Sequence, residues 1–231
     1  MFSQGRITIN RKKAVAYIGV LLVTLSAVAI IFEITSNNTS SGKLVRVACL
    51  GDSITRGYGY PDKLQSSLGA NYTVRNFGFD SSTVLLNTDT PYMYQVEFNR
   101  SKYFLPDIVV VMLGTNDART DYFKSIKDFV SDYLMLINEL QVLESEPQIF
   151  LVKPPPLFNN TLSLESENLL EGIFPRIEQI ANDKGLTAID VYSELENHPE
   201  YFPDGVHPTN EGATVIANEV YEAIILSGEA S

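Results

Sequence analysis

Cysteine is almost missing from this sequence of 231 residues: Cys49 is the only one. An intramolecular disulfide and any zinc site built on thiolates are therefore excluded. Histidine is nearly as scarce, with His198 and His207 alone, which excludes a histidine-rich metal centre. Positive charge is also in short supply. Lys and Arg number 17 against 28 Asp and Glu, a net charge of −11. A nucleic acid partner needs the opposite balance and is excluded. Four of the 17 bases (Arg6, Arg11, Lys12 and Lys13) stand in the first thirteen residues, which hold no acid, so the rest of the chain sets 13 bases against 28 acids. Disorder throughout is excluded as well, since 45% of the residues are hydrophobic. The length suits one ordinary domain with a further segment attached.

What is present begins with one long apolar run. Residues 14–32 read AVAYIGVLLVTLSAVAIIF, without a single charge. A helix of that length crosses the ~30 Å hydrocarbon core of a bilayer. A removable signal peptide has a shorter core of roughly 7–15 residues and a small-residue cleavage site, whereas this run ends in Ile-Ile-Phe-Glu-Ile. The reading is an uncleaved anchor over residues 14–34, with a secreted product after signal cleavage as the alternative. Because the basic cluster precedes the span, the N-terminal tail of residues 1–13 is expected in the cytoplasm and the remainder outside it. Residues 35–43 (TSNNTSSGK) are small and polar, a flexible linker. A domain over 44–231 follows.

Within that domain, apolar runs at 44–50, 72–77, 107–113, 148–152 and 186–191 read as strands. The run DIVVVML at 107–113 is apolar throughout, as a central parallel strand buried on both faces requires. Helical spacing links Phe123, Ile126, Val130, Tyr133, Ile137 and Leu140, and again Leu170, Ile173, Phe174, Ile177, Ile180 and Ala181, where Pro175 must start or kink a helix. A last helix runs from about Thr209, with Ala213, Ile216, Ala217, Val220 and Ile224 on one stripe. Strands alternating with helices predict an α/β fold, a parallel sheet covered on both faces.

Function in such folds sits at the carboxyl ends of the strands. Three polar clusters stand there: Gly51-Asp52-Ser53, Gly114-Thr115-Asn116-Asp117 and Pro203-Asp204-Gly205-Val206-His207-Pro208. A serine hydroxyl becomes a nucleophile when a positioned base takes its proton, and histidine is the usual base near neutral pH. His198 lies in a hydrophilic loop, Glu-Asn-His-Pro-Glu, with no partner pattern. His207 has Asp204 three residues earlier, a spacing that lets a carboxylate orient one ring nitrogen and leave the other for Ser53. Alone, Asp-x-x-His is a capped loop; beside the other two clusters it points to acyl transfer. Asn116 and the backbone N–H of Ser53 are candidate donors to an oxyanion. Thr55 stands where a Gly-x-Ser-x-Gly elbow would need its second glycine, which argues against an α/β-hydrolase. Cys49, inside the first strand, is a buried thiol and not a nucleophile.

Gly51-Asp52-Ser53-Ile54, Gly114-Thr115-Asn116-Asp117 and Asp204-Gly205-Val206-His207 resemble, in order and spacing, the signature blocks of the GDSL or SGNH hydrolase superfamily over about residues 44–226. The resemblance implies a three-layer α/β/α, flavodoxin-like fold with five parallel strands. It also implies a metal-free, cofactor-free esterase mechanism with Ser53 as nucleophile, His207 as base and Asp204 as its orienter. Ser53 N–H and Asn116 would form part of the oxyanion hole. One block departs from the pattern. In Asn76-Phe77-Gly78-Phe79-Asp80-Ser81-Ser82-Thr83, Ser81 occupies the position of the family's oxyanion-hole glycine. A backbone N–H survives the change, but a positive φ costs more for serine. Ser81 is kept as the donor, with Gly78, three residues earlier, as the alternative source of the close approach. Asp80, in place of the usual serine, adds negative charge that would disfavour anionic substrates.

The Asn-Phe-Gly block, Lys153-Pro154-Pro155-Pro156 and the Phe-Pro-Asp-Gly-Val-His-Pro ending resemble the sialate O-acetylesterase and acetylxylan-esterase-like branch. That resemblance implies a small-molecule or glycan ester as substrate and a short acyl group, acetyl first. Tyr58, Tyr60, Tyr92 and Tyr94 either stack on a sugar or cover the sheet ends. Two alternatives stay open: a lipase or lysophospholipase acting on lipid esters, and a membrane-tethered binding module that has lost turnover.

Overall fold

The computed structural model describes residues 44–229. The expected anchor, the basic tail and the linker lie outside the described residues, and among the described residues no helix is long and apolar enough to cross a membrane. In chain order the regular elements are β1 (Val45–Gly51), α1 (Ser53–Gly57), α2 (Tyr60–Leu68), β2 (Tyr72–Gly78), α3 (Val96–Tyr103) and β3 (Ile108–Met112). They continue with α4 (Phe129–Gln141), β4 (Gln148–Lys153), α5 (Phe174–Lys184), β5 (Thr187–Asp190), α6 (Tyr192–Leu195) and α7 (Asn210–Glu229).

The five strands pair in parallel in the order β2-β1-β3-β4-β5. Alternation along each strand splits the core in two. Ala48, Leu50, Val109, Val111, Ile149 and Leu151 face a layer holding Phe98 of α3, Phe129, Tyr133 and Ile137 of α4, and Ile177 and Ile180 of α5. Val47, Cys49, Val110, Met112, Phe150 and Val152 face Tyr60 and Leu64 of α2 and Ala213, Ile216 and Val220 of α7. Because both faces are covered, the middle strands are apolar without interruption, and β3 is buried at every position. This is the α/β sandwich that the strand and helix pattern predicts.

The helices differ from the sequence reading in two places. The stripe from Phe123 breaks into a 3₁₀ turn, Phe123–Asp128, before α4 begins. The stripe from Leu170 opens as a π-helix, Asn168–Ile173, and becomes α-helical only at Phe174. Pro175 stands in the first turn of α5, directly after the π-helix, and has no N–H to give the carbonyls of the preceding turn.

Candidate active site

β1 delivers the chain to a sharp strand-to-helix turn. Asp52 caps α1 by accepting the Ile54 N–H at 2.9 Å, and Ser53 is the first helical residue. As such, its N–H has no carbonyl one turn below it. The neighbouring end of β2 holds this turn closely. Asn76 Nδ2 donates to the carbonyls of Thr55 (2.7 Å) and Arg56 (3.1 Å), closing the far end of α1. Gly78 then passes so near that a Cβ there would stand 2.4 Å from the Arg56 nitrogen and 2.8 Å from the Asp52 oxygen. Its N–H donates to Asn76 Oδ1 at 2.9 Å. Gly78 therefore provides the close approach but no free donor. Ser81 takes the turn that follows with φ of 58°, the left-handed conformation in which a side chain is costly.

Asn116 opens a short 3₁₀ turn, Asn116–Ala118, beyond the end of β3. Its Nδ2 donates to Ser82 O at 3.1 Å and more distantly, at 3.4 Å, to Asp52 Oδ2. Asp117, fully buried, accepts the N–H groups of Val84 (3.0 Å) and Leu85 (2.8 Å), while Asp132 accepts that of Leu86 (2.9 Å). Two carboxylates thus hold three consecutive N–H groups of the loop that carries Ser81. Burial lifts the Asp117 carboxyl to about 7 and that of Asp52 to about 6, against the hydrogen bonds that favour their charged forms.

The loop before α7 supplies the last cluster. Asp204 Oδ1 accepts the N–H groups of Val206 (3.0 Å) and His207 (2.7 Å), and its Oδ2 lies 2.6 Å from His207 Nδ1. The other ring nitrogen, Nε2, is 2.9 Å from Ser53 Oγ. Tyr58 stacks on the imidazole with centroids 4.6 Å apart. Partial burial pushes Asp204 up, but the bonds from His207 and Val206 outweigh it and hold the carboxyl below its usual range. Gly205, at φ of 81°, packs against the Asn159 carbonyl, where a Cβ would stand only 2.3 Å away.

Ser53, Ser81, Asn116 and His207 all line one cleft of about 630 Å³, together with Arg56, Tyr58, Asp80 and Leu162. Such a constellation, a hydroxyl on a ring nitrogen with N–H donors beside it, can run acyl transfer. The expectation for Asp80 needs correction, and the choice left open for the tyrosines is decided. Asp80 does not stand as free negative charge: Arg56 Nη1 meets its Oδ2 at 2.7 Å. Tyr60 and Tyr92 cannot stack on a ligand, because both are buried, and Tyr92 donates to Phe77 O at 2.6 Å. Tyr94 is exposed but stands outside the cleft lining, which leaves Tyr58 as the tyrosine beside it. His198 stacks on Tyr201 and meets Glu200 at 2.8 Å, away from the cleft. The Cys49 thiol is wholly buried, which pushes it up to about 12. Among the described residues no group of three or more His, Cys, Asp or Glu is placed to hold a metal ion.

Residues 49–215 match the model of the GDSL-like lipase/acylhydrolase family. An acetylxylan esterase of Xylanibacter ruminicola is 32% identical over 206 residues, covering 78% of this chain and 43% of the relative. This chain therefore spans less than half the length of that protein. Among solved structures, the aryl esterase of M. smegmatis superposes with a TM-score of 0.64 at 19% identity, over 78% of this chain and 98% of the other. A carbohydrate acetylesterase family member from Sinorhizobium meliloti does so with a TM-score of 0.63 at 22% identity, over 79% and 98%. At these identities the structural likeness is one of fold.

Proposed function

This chain belongs to the GDSL-like lipase/acylhydrolase family, and from that premise we propose that it is a serine ester hydrolase removing acetyl or other short acyl groups from carbohydrate. The observation that carries the reading is the chain of contacts Ser53 Oγ to His207 Nε2 and His207 Nδ1 to Asp204 Oδ2, at 2.9 and 2.6 Å, opening into the cleft. In the forward step Ser53 Oγ attacks the ester carbonyl while His207 Nε2 takes its proton. Asp204, accepting from Nδ1–H, holds the tautomer and the imidazolium that forms. Ser53 N–H, Ser81 N–H and the Asn116 amide receive the oxyanion. Collapse breaks the C–O bond, His207 returns the proton to the departing alcohol, and the acyl group stays on Ser53. Water, deprotonated by His207, then releases the acid and restores the hydroxyl. The 32% identical acetylxylan esterase supports acetyl on a glycan. So does a cleft that sets Arg56, Asp80, Ser81 and Asn116 beside the aliphatic Leu162 and Val206, with polar groups placed to meet hydroxyls.

The full chain should hydrolyse p-nitrophenyl acetate faster than longer-chain esters, with a phosphonate probe labelling Ser53. Ser53→Ala and His207→Ala should each lose activity by about a thousandfold or more, as members of one unit. Labelling at another residue would sink the assignment.

We further propose, on sequence grounds, that residues 14–34 anchor the protein and that the hydrolase domain lies on the extracytoplasmic side. Protease added to intact cells should release an active fragment; protection until lysis would mean the reverse topology.

A further inference from the structure

The cleft at Ser53 does not stop at the reacting atoms. It shares Ser81, Asn116 and Leu162 with a second recess of about 280 Å³, which in turn shares Arg119 and Leu162 with a third of about 500 Å³. The three recesses abut along one side of the molecule, and Leu162, nearly half exposed, belongs to all of them.

The walls of this groove are fixed before any ligand arrives. On one side Arg119 forms a two-pronged pair with Asp121 (2.6 and 2.8 Å) and lies over the Tyr122 ring, its Cζ 3.7 Å from the centroid. Tyr122 in turn donates to Asp89 at 2.7 Å. On the other side the loop carrying Leu162 is clipped to the segment around Arg119 by Thr120 N–H to Ser163 O (3.1 Å) and Glu165 N–H to Ala118 O (3.2 Å). Asn160 braces the loop from within, accepting from Leu162 N–H and donating to Leu164 O. Prefixed polar walls lower the ordering cost of binding.

The charge of the lining is the informative part. The chain as a whole sets 17 bases against 28 acids, yet the groove balances Arg56, Arg119 and Lys124 against Asp80, Asp89 and Asp121. A groove built for an anion or a cation would carry an excess of one sign. Paired carboxylates and guanidinium groups instead offer neighbouring acceptors and donors, which matches vicinal hydroxyls.

We propose that this groove is a subsite for a neutral, hydroxyl-rich chain, holding sugar residues beyond the acylated one. The identity of the ligand rests on the carbohydrate esterase reading above. The full chain carrying Ser53→Ala should bind unacetylated neutral oligosaccharides by calorimetry, with affinity rising with length. An oligosaccharide of uronic acids should gain nothing from added length. In the active protein, kcat/KM for acetylated oligosaccharides should also rise with length, and Arg119→Ala and Leu162→Ser should each cut the ratio of that value to the p-nitrophenyl acetate value by about tenfold. Leu162→Ser, at an exposed position, guards against a folding defect. Hydrolysis of the small ester with no dependence on sugar length overturns the groove and leaves the esterase. Length-dependent binding without any hydrolysis keeps the groove and overturns the esterase. A preference that grows with acyl chain length, or an equal loss on both substrates in the two variants, also overturns the groove.

Discussion

Gly78→Ala is a single methyl group aimed at the turn that carries Ser53. Its Cβ would stand 2.4 Å from the Arg56 nitrogen, 2.8 Å from the Arg56 Cα and 2.8 Å from the Asp52 oxygen, all backbone atoms. Unbonded carbon atoms rest at about 3.5–4.0 Å. The end of β2 and the start of α1 must therefore part by about 1 Å, since no flexible side chain can yield in their place. Overpacking of this kind costs about 1–3 kcal/mol of stability. The kinetic cost is larger. Ser53 Oγ sits 2.9 Å from His207 Nε2, and a displacement of about 1 Å at a reacting centre costs about a hundredfold in rate. Thermal denaturation and kcat/KM for p-nitrophenyl acetate read the two effects separately. Gly228→Ala, in α7 and away from the cleft, is the control, because a Cβ at that position meets nothing within 4 Å. Wild-type melting and turnover in Gly78→Ala would refute the claim that β2 positions Ser53, the proposed nucleophile.

Ser81→Gly relieves the left-handed strain and keeps the N–H, so activity should persist, with stability changing by no more than about 1 kcal/mol as glycine's entropy offsets the gain. Ser81→Pro removes the donor and forbids the observed φ, and kcat should fall by about a hundredfold or more; equal activity in the two variants would mean that the Ser81 N–H takes no part. The buried carboxyls set a pH dependence of definite sign. Asp52 and Asp117 rise from 3.8 to about 6 and about 7 in the folded chain, so between those limits the folded state holds protons that the unfolded state releases. Stability should fall as pH rises from about 4 to about 7, and Asp117→Asn should flatten that slope in chemical denaturation; stability rising across the window would contradict it.

Much of the fold was legible because burial on both faces leaves parallel strands without polar interruption. The five apolar runs lie within a residue or two of β1 to β5. The clusters at the strand ends were legible for a similar reason: Gly51, Asn116 and His207 mark where a regular element stops and a fixed turn begins. Helix α3 was not legible, since only Phe98 and Ser101 are buried among its eight residues and the rest carry no apolar stripe. Nor does sequence distinguish Tyr58, stacked on His207, from Tyr60, buried against the sheet; Tyr58 follows the end of α1 and Tyr60 begins α2, and only packing sends one ring to the cleft and the other to the core. The hold of Asp117 on Val84 and Leu85 spans more than thirty residues. Its only signal was an acid following Asn116 at the end of an apolar strand. The pairing of Arg56 with Asp80 is of the same kind, made by the close approach at Gly78 and not by local pattern.

The two groups that meet at the centre of the cleft, Ser53 and His207, are separated by 154 positions in the chain. One follows the first strand and the other precedes the last helix. A ribosome adding about 5–20 residues per second makes the serine roughly 8–30 s before the histidine exists. α7, which follows His207, packs on α2, the second helix of the domain, so the first elements made cannot be covered until the last have emerged. On the proposed mechanism the polypeptide carries an inert hydroxyl throughout its synthesis, and a message cut short anywhere before residue 207 yields a protein with Ser53 and without the histidine that faces it.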